Sequence, residues 1–328
     1  MALKKSVVAP ILKKPKLDAD DLANYSLVSS LPFIFKLWEK VVAKRLSAYL
    51  DDNTLLPRRQ SANRRFNSTE MALLCVLSDQ TSAMESGKLT LLTFLDMSAA
   101  FDLEILLRRL DATFGIRNGA IMWIASYLSD RTEKVHVTGY TSPYVLLKYG
   151  VPQGSVLGSL LFIMYTGELK HIINSHGLLS SCYANDCQLS FFCNLGETES
   201  LATRMINCVD NVSNWMSSNR LNINPTKTEY LWAATSRRQN FIPRGPIILS
   251  RVDIISSHCV TLLGVYIDDD MSASTRINKV VSSGSFYLLQ IKSIRRCLPG
   301  DAAKVLVNAF VVSRLDYCNS LYANLPQA

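Results

Sequence analysis

The chain has 328 residues, 35 Lys and Arg against 27 Asp and Glu, a net charge of +8 and 48% hydrophobic residues. With only 14 Gly and 11 Pro, it is not a disordered tail, a collagen-like fibre or a low-complexity linker, and its length suits two packed domains or one large one. No apolar run approaches the ~20 residues of a membrane helix, and the start lacks a signal-length apolar core, so no membrane association is expected and the location is read as intracellular.

Residues up to 31 are polar and broken by Pro10 and Pro15. Over 33–50, Ile34, Leu37, Trp38, Val41, Val42 and Leu46 recur at helical spacing. Residues 55–67 are basic and read as a loop or short strand. A second helix spans 69–85, with Met71, Leu74, Cys75 and Leu77 on one side and Gly87 closing its end. The period then changes. Residues 89–95 form a nearly continuous apolar run, the pattern of a buried strand, ending at Asp96. Helices follow around 104–114 and 120–128, and a hairpin over 134–138 and 144–149. A long apolar helix is expected up to about 173. Two short strands, 178–183 and 188–192, flank Ala184-Asn185-Asp186. Residues 197–216 read as helix, 230–233, 247–255 and 260–267 as strands, and the tail from 272 as mostly helical. This order defines an α+β fold.

Charge and cysteine placement add less. Lys4, Lys5, Lys13, Lys14 and Lys16 crowd the start, and Arg58, Arg59, Arg64 and Arg65 lie near one another. Such groups are either solvated faces or phosphate contacts. The 8 cysteines include no C-x-x-C pair; Cys182, Cys187 and Cys193 lie closest. With the histidines scattered, free thiols are expected rather than a structural zinc site.

Three segments carry candidate chemistry. In Phe94-Leu95-Asp96-Met97-Ser98-Ala99-Ala100-Phe101-Asp102, a carboxylate ends a buried strand. It either caps the next helix or binds a cation. Tyr183-Ala184-Asn185-Asp186 reads as a hairpin turn, because Asn and Asp tolerate positive φ. Tyr149-Gly150-Val151-Pro152-Gln153-Gly154-Ser155-Val156-Leu157-Gly158 is an irregular entry into a helix, whose amides suit a phosphate or a nucleotide.

Taken together and in chain order, these segments (94–102, 149–158 and 183–186) resemble motifs A, B and C of reverse transcriptases, specifically the non-LTR (LINE-type) retrotransposon branch in its jockey-like and chicken-repeat types. Asn24-Tyr25 with Ser29-Ser30-Leu31-Pro32, and Gln60-Ser61-Ala62-Asn63-Arg64-Arg65 with Ser68-Thr69-Glu70, resemble the two finger motifs. Trp215-Met216-Ser217 with Leu221 and Asn224-Pro225-Thr226-Lys227-Thr228-Glu229 resembles motif D. Leu263-Gly264-Val265 resembles motif E, the primer grip, and Ser313-Arg314-Leu315-Asp316-Tyr317-Cys318-Asn319-Ser320 a stretch of thumb.

The resemblance implies a right-hand polymerase core: fingers and a palm with a central antiparallel sheet over residues 1–268, and a partial helical thumb over 269–328. It implies RNA-directed DNA synthesis from dNTPs on a template RNA and a primer DNA, with an RNA–DNA hybrid held by shape and backbone charge. Protein partners are not implied, and the location is nuclear or cytoplasmic. Two Mg²⁺ ions are expected, on Asp96, the Met97 carbonyl and Asp186. Phe101 matches the gate under the incoming sugar, Arg64 or Arg65 the triphosphate contact, Gln153 and Gly154 the nucleotide and template pocket, and Lys227 a proton donor or phosphate contact. The resemblance covers a polymerase core only, with an endonuclease and further thumb sequence expected outside it.

Departures from the family pattern mark a partly degenerate, truncated copy. Asn185 stands where motif C has its first Asp, which removes a negative charge while keeping a carbonyl oxygen. Residues are missing after Phe101-Asp102. Ser26-Leu27 replaces Arg-Pro, and Phe66-Asn67 replaces Gly-His. Weak or absent activity is therefore expected, and a non-catalytic nucleic-acid-binding remnant is the alternative.

Overall fold

The computed structural model describes residues 4–14, 17–97, 102–137, 139–224, 227–243, 245–249 and 252–322. The first stretch, which looks merely polar in sequence, forms two strands, β1 (Lys5–Leu12) and β2 (Tyr25–Ser30), paired antiparallel. Local pattern hides them because their pairing is what makes them strands. β1 also pairs in parallel with a strand far along the chain, described below.

Helix α1 (Phe33–Asp52) starts after Pro32, a residue suited to a helix entrance. Its expected apolar stripe faces the core only in part: Val42 and Leu46 pack against it, whereas Ile34, Leu37, Trp38 and Val41 are each more than half exposed. The opposite side instead buries Leu50 and the carboxylate of Glu39. Helix α2 (Thr69–Glu85) is capped by Ser68, whose side chain accepts from the Met71 amide. It closes as expected at Gly87, which takes a φ of +72°. Its buried face is Leu73, Val76, Gln80 and Ala83, not the expected Met71 side, and both Met71 and Cys75 are exposed.

The apolar run forms β3 (Leu89–Asp96). Helices α3 (Leu103–Ala112) and α4 (Asn118–Leu128) follow. Asp102 is the cap of α3, accepting from the Glu104 and Ile105 amides, so Asp96 does not serve as that cap. Strands β4 (Thr132–Val137), β5 (Tyr140–Thr141) and β6 (Val145–Leu146) make the expected antiparallel hairpin, and β4 pairs in parallel with β1.

The expected long apolar helix is two helices, α5 (Gly158–Tyr165) and α6 (Leu169–Ser175), broken at Thr166-Gly167. Strands β7 (Leu179–Tyr183) and β8 (Asp186–Cys193) form a tight hairpin, followed by α7 (Thr198–Ser218) and β9 (Glu229–Ala233). The two longer strands read near the end are each hairpins: β10 (Ile247–Leu249) with β11 (Val252–Ile254), and β12 (Cys259–Leu262) with β13 (Val265–Asp268). The helical tail is α8 (Ser274–Ile294), α9 (Gly300–Val307) and α10 (Ser313–Asp316).

The central sheet runs β7-β8-β3-β9, all antiparallel. Side chains alternate across it. Leu91, Leu95, Leu189 and Phe191 join the larger core with α5 and α7. Leu92 and Leu231 face the other way, against Leu73 and Val76 of α2 and Val260 and Val265 of the β12–β13 hairpin. Both faces are covered, so the polar residues at the sheet end form a distinct rim. Among the described residues, no helix is long and apolar enough to cross a membrane.

Candidate active site

β3 ends at Asp96 and β8 begins at Asp186, and the antiparallel register sets these two residues directly opposite each other. Both lie on the face that carries Leu92. The Lys227 Nζ is 3.1 Å from Asp96 Oδ2. The Asn224 amide donates to the Asp96 carbonyl at 3.0 Å, which ties the segment before Lys227 to the strand end. Met97 is buried and bridges Ile223. Although Asp186 is exposed, its carboxyl is held above the ordinary carboxylate range, first by lost hydration and then by repulsion from Asp96. Among the described residues, no three His, Cys, Asp or Glu side chains gather into a metal cluster.

Ala184 and Asn185 are the two turn residues between Tyr183 and Asp186, which pair with each other. The positive φ that the turn requires falls on Ala184, at 56°, and not on Asn or Asp. A non-glycine residue there is strained. Gln60 braces it: the Ala184 amide donates to Gln60 Oε1 at 3.2 Å, and Gln60 Nε2 donates to the Ala184 carbonyl at 3.4 Å. The same Oε1 accepts from the Ala62 amide. Neighbouring main chain adds to this grip, since Cys182 donates to the Arg59 carbonyl at 3.0 Å and accepts from the Ser61 amide at 3.1 Å. Gln60 is only 5% exposed. Sequence reasoning quoted it within a finger motif without a role, because nothing in a basic loop signals a buried carboxamide.

The other expected site residues are distributed unevenly. Leu263 lines a cleft of about 70 Å³ together with Tyr183, Asp186, Arg58 and Arg59. Leu263 and Gly264 form the β12–β13 turn, with φ of 48° and 80°, while Val265 is buried in the smaller core. The tail clasps this turn: Tyr317 Oη donates to the Leu263 carbonyl at 2.6 Å and Arg276 to the Gly264 carbonyl at 3.3 Å. Beside it opens a cleft of about 470 Å³, lined by Arg276, Lys279, Arg314, Ser283 and Ser313, with no acidic residue.

Arg64 is turned toward Asp51, at 3.4 Å, and the Pro57 carbonyl, at 3.1 Å, and Arg65 is exposed. Of the basic run, Arg58 and Arg59 are the ones at the Asp186 cleft. Arg59 is ion-paired with Asp79, which holds its guanidinium above the ordinary value. Gln153 and Gly154 are exposed on the loop before α5, where the Gln153 carbonyl accepts from the Ser29 amide. Glu39 anchors that loop, accepting from Ser155 Oγ and the Val156 amide at 3.0 Å each and from Tyr127 Oη. Burial and this carboxylate push the Tyr127 hydroxyl far above its ordinary pKa. Phe101, Ser98, Ala99, Ala100, Pro225 and Thr226 lie outside the described residues.

Residues 11–269 match the family model described as reverse transcriptase (RNA-dependent DNA polymerase). The chain is 28% identical over 227 residues to the probable RNA-directed DNA polymerase from transposon BS of Drosophila melanogaster, covering 66% of this chain and 24% of that protein. It is 30% identical over 174 residues to the RNA-directed DNA polymerase from mobile element jockey of the same species, covering 51% and 19%. The chain thus spans about a quarter or less of the length of these relatives. Telomerase from Candida tropicalis, solved in complex with a fragment of telomeric RNA, superposes with a TM-score of 0.55 at 11% identity, over 98% of this chain and 54% of that one. Its apo form truncated of the C-terminal domain gives 0.51 at 14%, over 82% and 54%. These likenesses show the fold, the expected α+β right-hand core around an antiparallel sheet.

Proposed function

The chain belongs to the reverse transcriptase family, of the LINE type, and we propose from that premise that it is an RNA-directed DNA polymerase core whose catalysis is weakened at one position. The observation that carries this reading is the strand end itself: Asp96 opposite Asp186, Lys227 on Asp96, and Asn185 in the turn between. We assign fingers and palm to residues 1–268 and a partial thumb to 269–328. The partners proposed are a template RNA, a primer DNA and dNTPs, in the nucleus or cytoplasm. The acid-free cleft at Arg276, Lys279 and Arg314 supports a phosphodiester backbone running beside the Leu263-Gly264 turn.

The donor set fits Mg²⁺ in part. Two carboxylates on adjacent strands supply the hard oxygens that Mg²⁺ prefers, and it commonly binds through one or two carboxylates plus substrate phosphates. Asp96, Asp186 and the Met97 carbonyl would hold it. When bound, such ions activate the primer hydroxyl and neutralise charge on the leaving pyrophosphate. The amide of Asn185 offers a neutral oxygen where a third carboxylate would help hold a second ion. Lys227, now paired with Asp96, is close enough to the carboxylates to meet a triphosphate there. Gln60 fixes the turn from which Asp186 projects.

A primer-extension assay on an RNA template, with dNTPs and either Mg²⁺ or Mn²⁺, tests this. Little or no product is expected from the unmodified chain, and Asn185→Asp is expected to restore synthesis. Robust extension by the unmodified chain would overturn the weakened reading. A second reading, a non-catalytic nucleic-acid-binding remnant, draws on the same basic cleft. It predicts salt-sensitive hybrid binding with no synthesis even after Asn185→Asp.

A further inference from the structure

The hairpin that carries Asp186 also holds a pair of thiols. Cys182 and Cys187 are cross-strand partners, one step in from Tyr183 and Asp186. The amide and carbonyl of Cys182 point away from β8, to Arg59 and Ser61. The pair is therefore of the non-hydrogen-bonded kind, in which Cα atoms approach to ~4.5 Å and side chains lie on one face. That spacing falls inside the roughly 4.4–6.8 Å range of disulfides. Both cysteines are free, and their side chains share the face of the hairpin turned toward the larger core.

The two differ in access. Cys187 is 2% exposed. Cys182 is half-buried and lines a cleft of about 250 Å³ between the loop at Pro57–Gln60, helices α5 and α6, and β7. A small oxidant that reaches this cleft meets Cys182 first.

We propose that Cys182 and Cys187 are a peroxide-oxidisable dithiol that closes into a disulfide across the base of the hairpin turn. The Cys182 sulfur attacks one peroxide oxygen, the O–O bond breaks, and a sulfenic acid forms with release of water. The Cys187 thiol then attacks that sulfur, loses its proton, and expels the hydroxyl as a second water. Two sulfurs together give two electrons to the peroxide, and a thiol reductant reverses the bond. The ring so formed encloses Tyr183, Ala184, Asn185 and Asp186. The inference rests on hairpin geometry and holds whether or not the chain synthesises DNA.

The test is to treat the purified full chain with hydrogen peroxide, unfold it, block remaining thiols with N-ethylmaleimide, and analyse the tryptic segment 171–204 by mass spectrometry. The expected segment is lighter by two hydrogens and carries one blocked thiol, at Cys193, with full blocking restored by dithiothreitol. Cleavage after Tyr183 should leave two peptides joined until reduction. In Cys187→Ser, Cys182 should stop at a sulfenic acid that dimedone traps. In Cys182→Ser, Cys187 should stay reduced, with circular dichroism confirming that each variant is folded. The proposal is overturned if the unmodified chain takes Cys182 to sulfinic acid while Cys187 stays reduced. It is equally overturned if the exposed Cys75 and Cys297 are oxidised and both hairpin thiols are untouched.

Discussion

At the scale of single residues, Gln60 shows how a side chain remote in sequence braces the turn beside Asp186. Its carboxamide meets both main-chain groups of Ala184, the turn residue with the strained φ. Gln60→Leu leaves the Ala184 and Ala62 amides without that acceptor, and should cost about 1–3 kcal/mol in urea unfolding. Asp186 shows the opposite balance. Its pKa is raised in the folded chain, so the folded state holds that proton more tightly than the unfolded state does. Its contribution to stability is present below the ordinary 3.8 and is lost as pH rises through the folded value. At neutral pH the charge is thus a net burden. Asp186→Asn should melt higher than the parent at pH 7, with the difference closing below about pH 4 in thermal scans.

At the scale of elements, local signals were read well and paired ones were not. The apolar run of β3 and the Gly87 end of α2 depend on a few adjacent residues, so they are visible in sequence. The β12–β13 hairpin looked like one strand because Leu263 gives no hint of the positive φ that it adopts. The α1 stripe was visible but its direction only in part: Val42 and Leu46 pack on the core, Leu37 and Trp38 wall an apolar groove of about 830 Å³ against α4, and Glu39 turns inward. The Glu39 network links three elements, α1, α4 and the loop before α5. Glu39→Ala strips the acceptor from Tyr127, Ser155 and the Val156 amide, and should destabilise the chain by about 2–4 kcal/mol in chemical denaturation. Hydrogen exchange at the Val156 amide should quicken in the same variant.

At the scale of the whole molecule, the +8 charge matters through its placement. The cleft at Arg276, Lys279 and Arg314 contains no carboxylate, so cations there act on a polyanion without internal compensation. Lys279→Ala should weaken binding to an RNA–DNA hybrid and reduce the slope of log affinity against log salt by about 1, measured by fluorescence anisotropy at several ionic strengths. The sequence made Asp96, Asp186, Asn185 and Lys227 legible as a group because they sit at element ends within short motifs. Gln60 and Arg58 were harder to see, since their roles depend on a loop folding back against β7.

The parallel pairing of β1 with β4 carries a consequence for biosynthesis. β1 finds β2 almost as soon as both have left the ribosome, but its other edge must wait for β4, which begins at Thr132. At ~5–20 residues per second, that wait lasts roughly 6–25 s. Throughout it, the nascent chain presents an open strand edge, the kind of surface that recruits chaperones or neighbouring nascent chains before its proper partner is made.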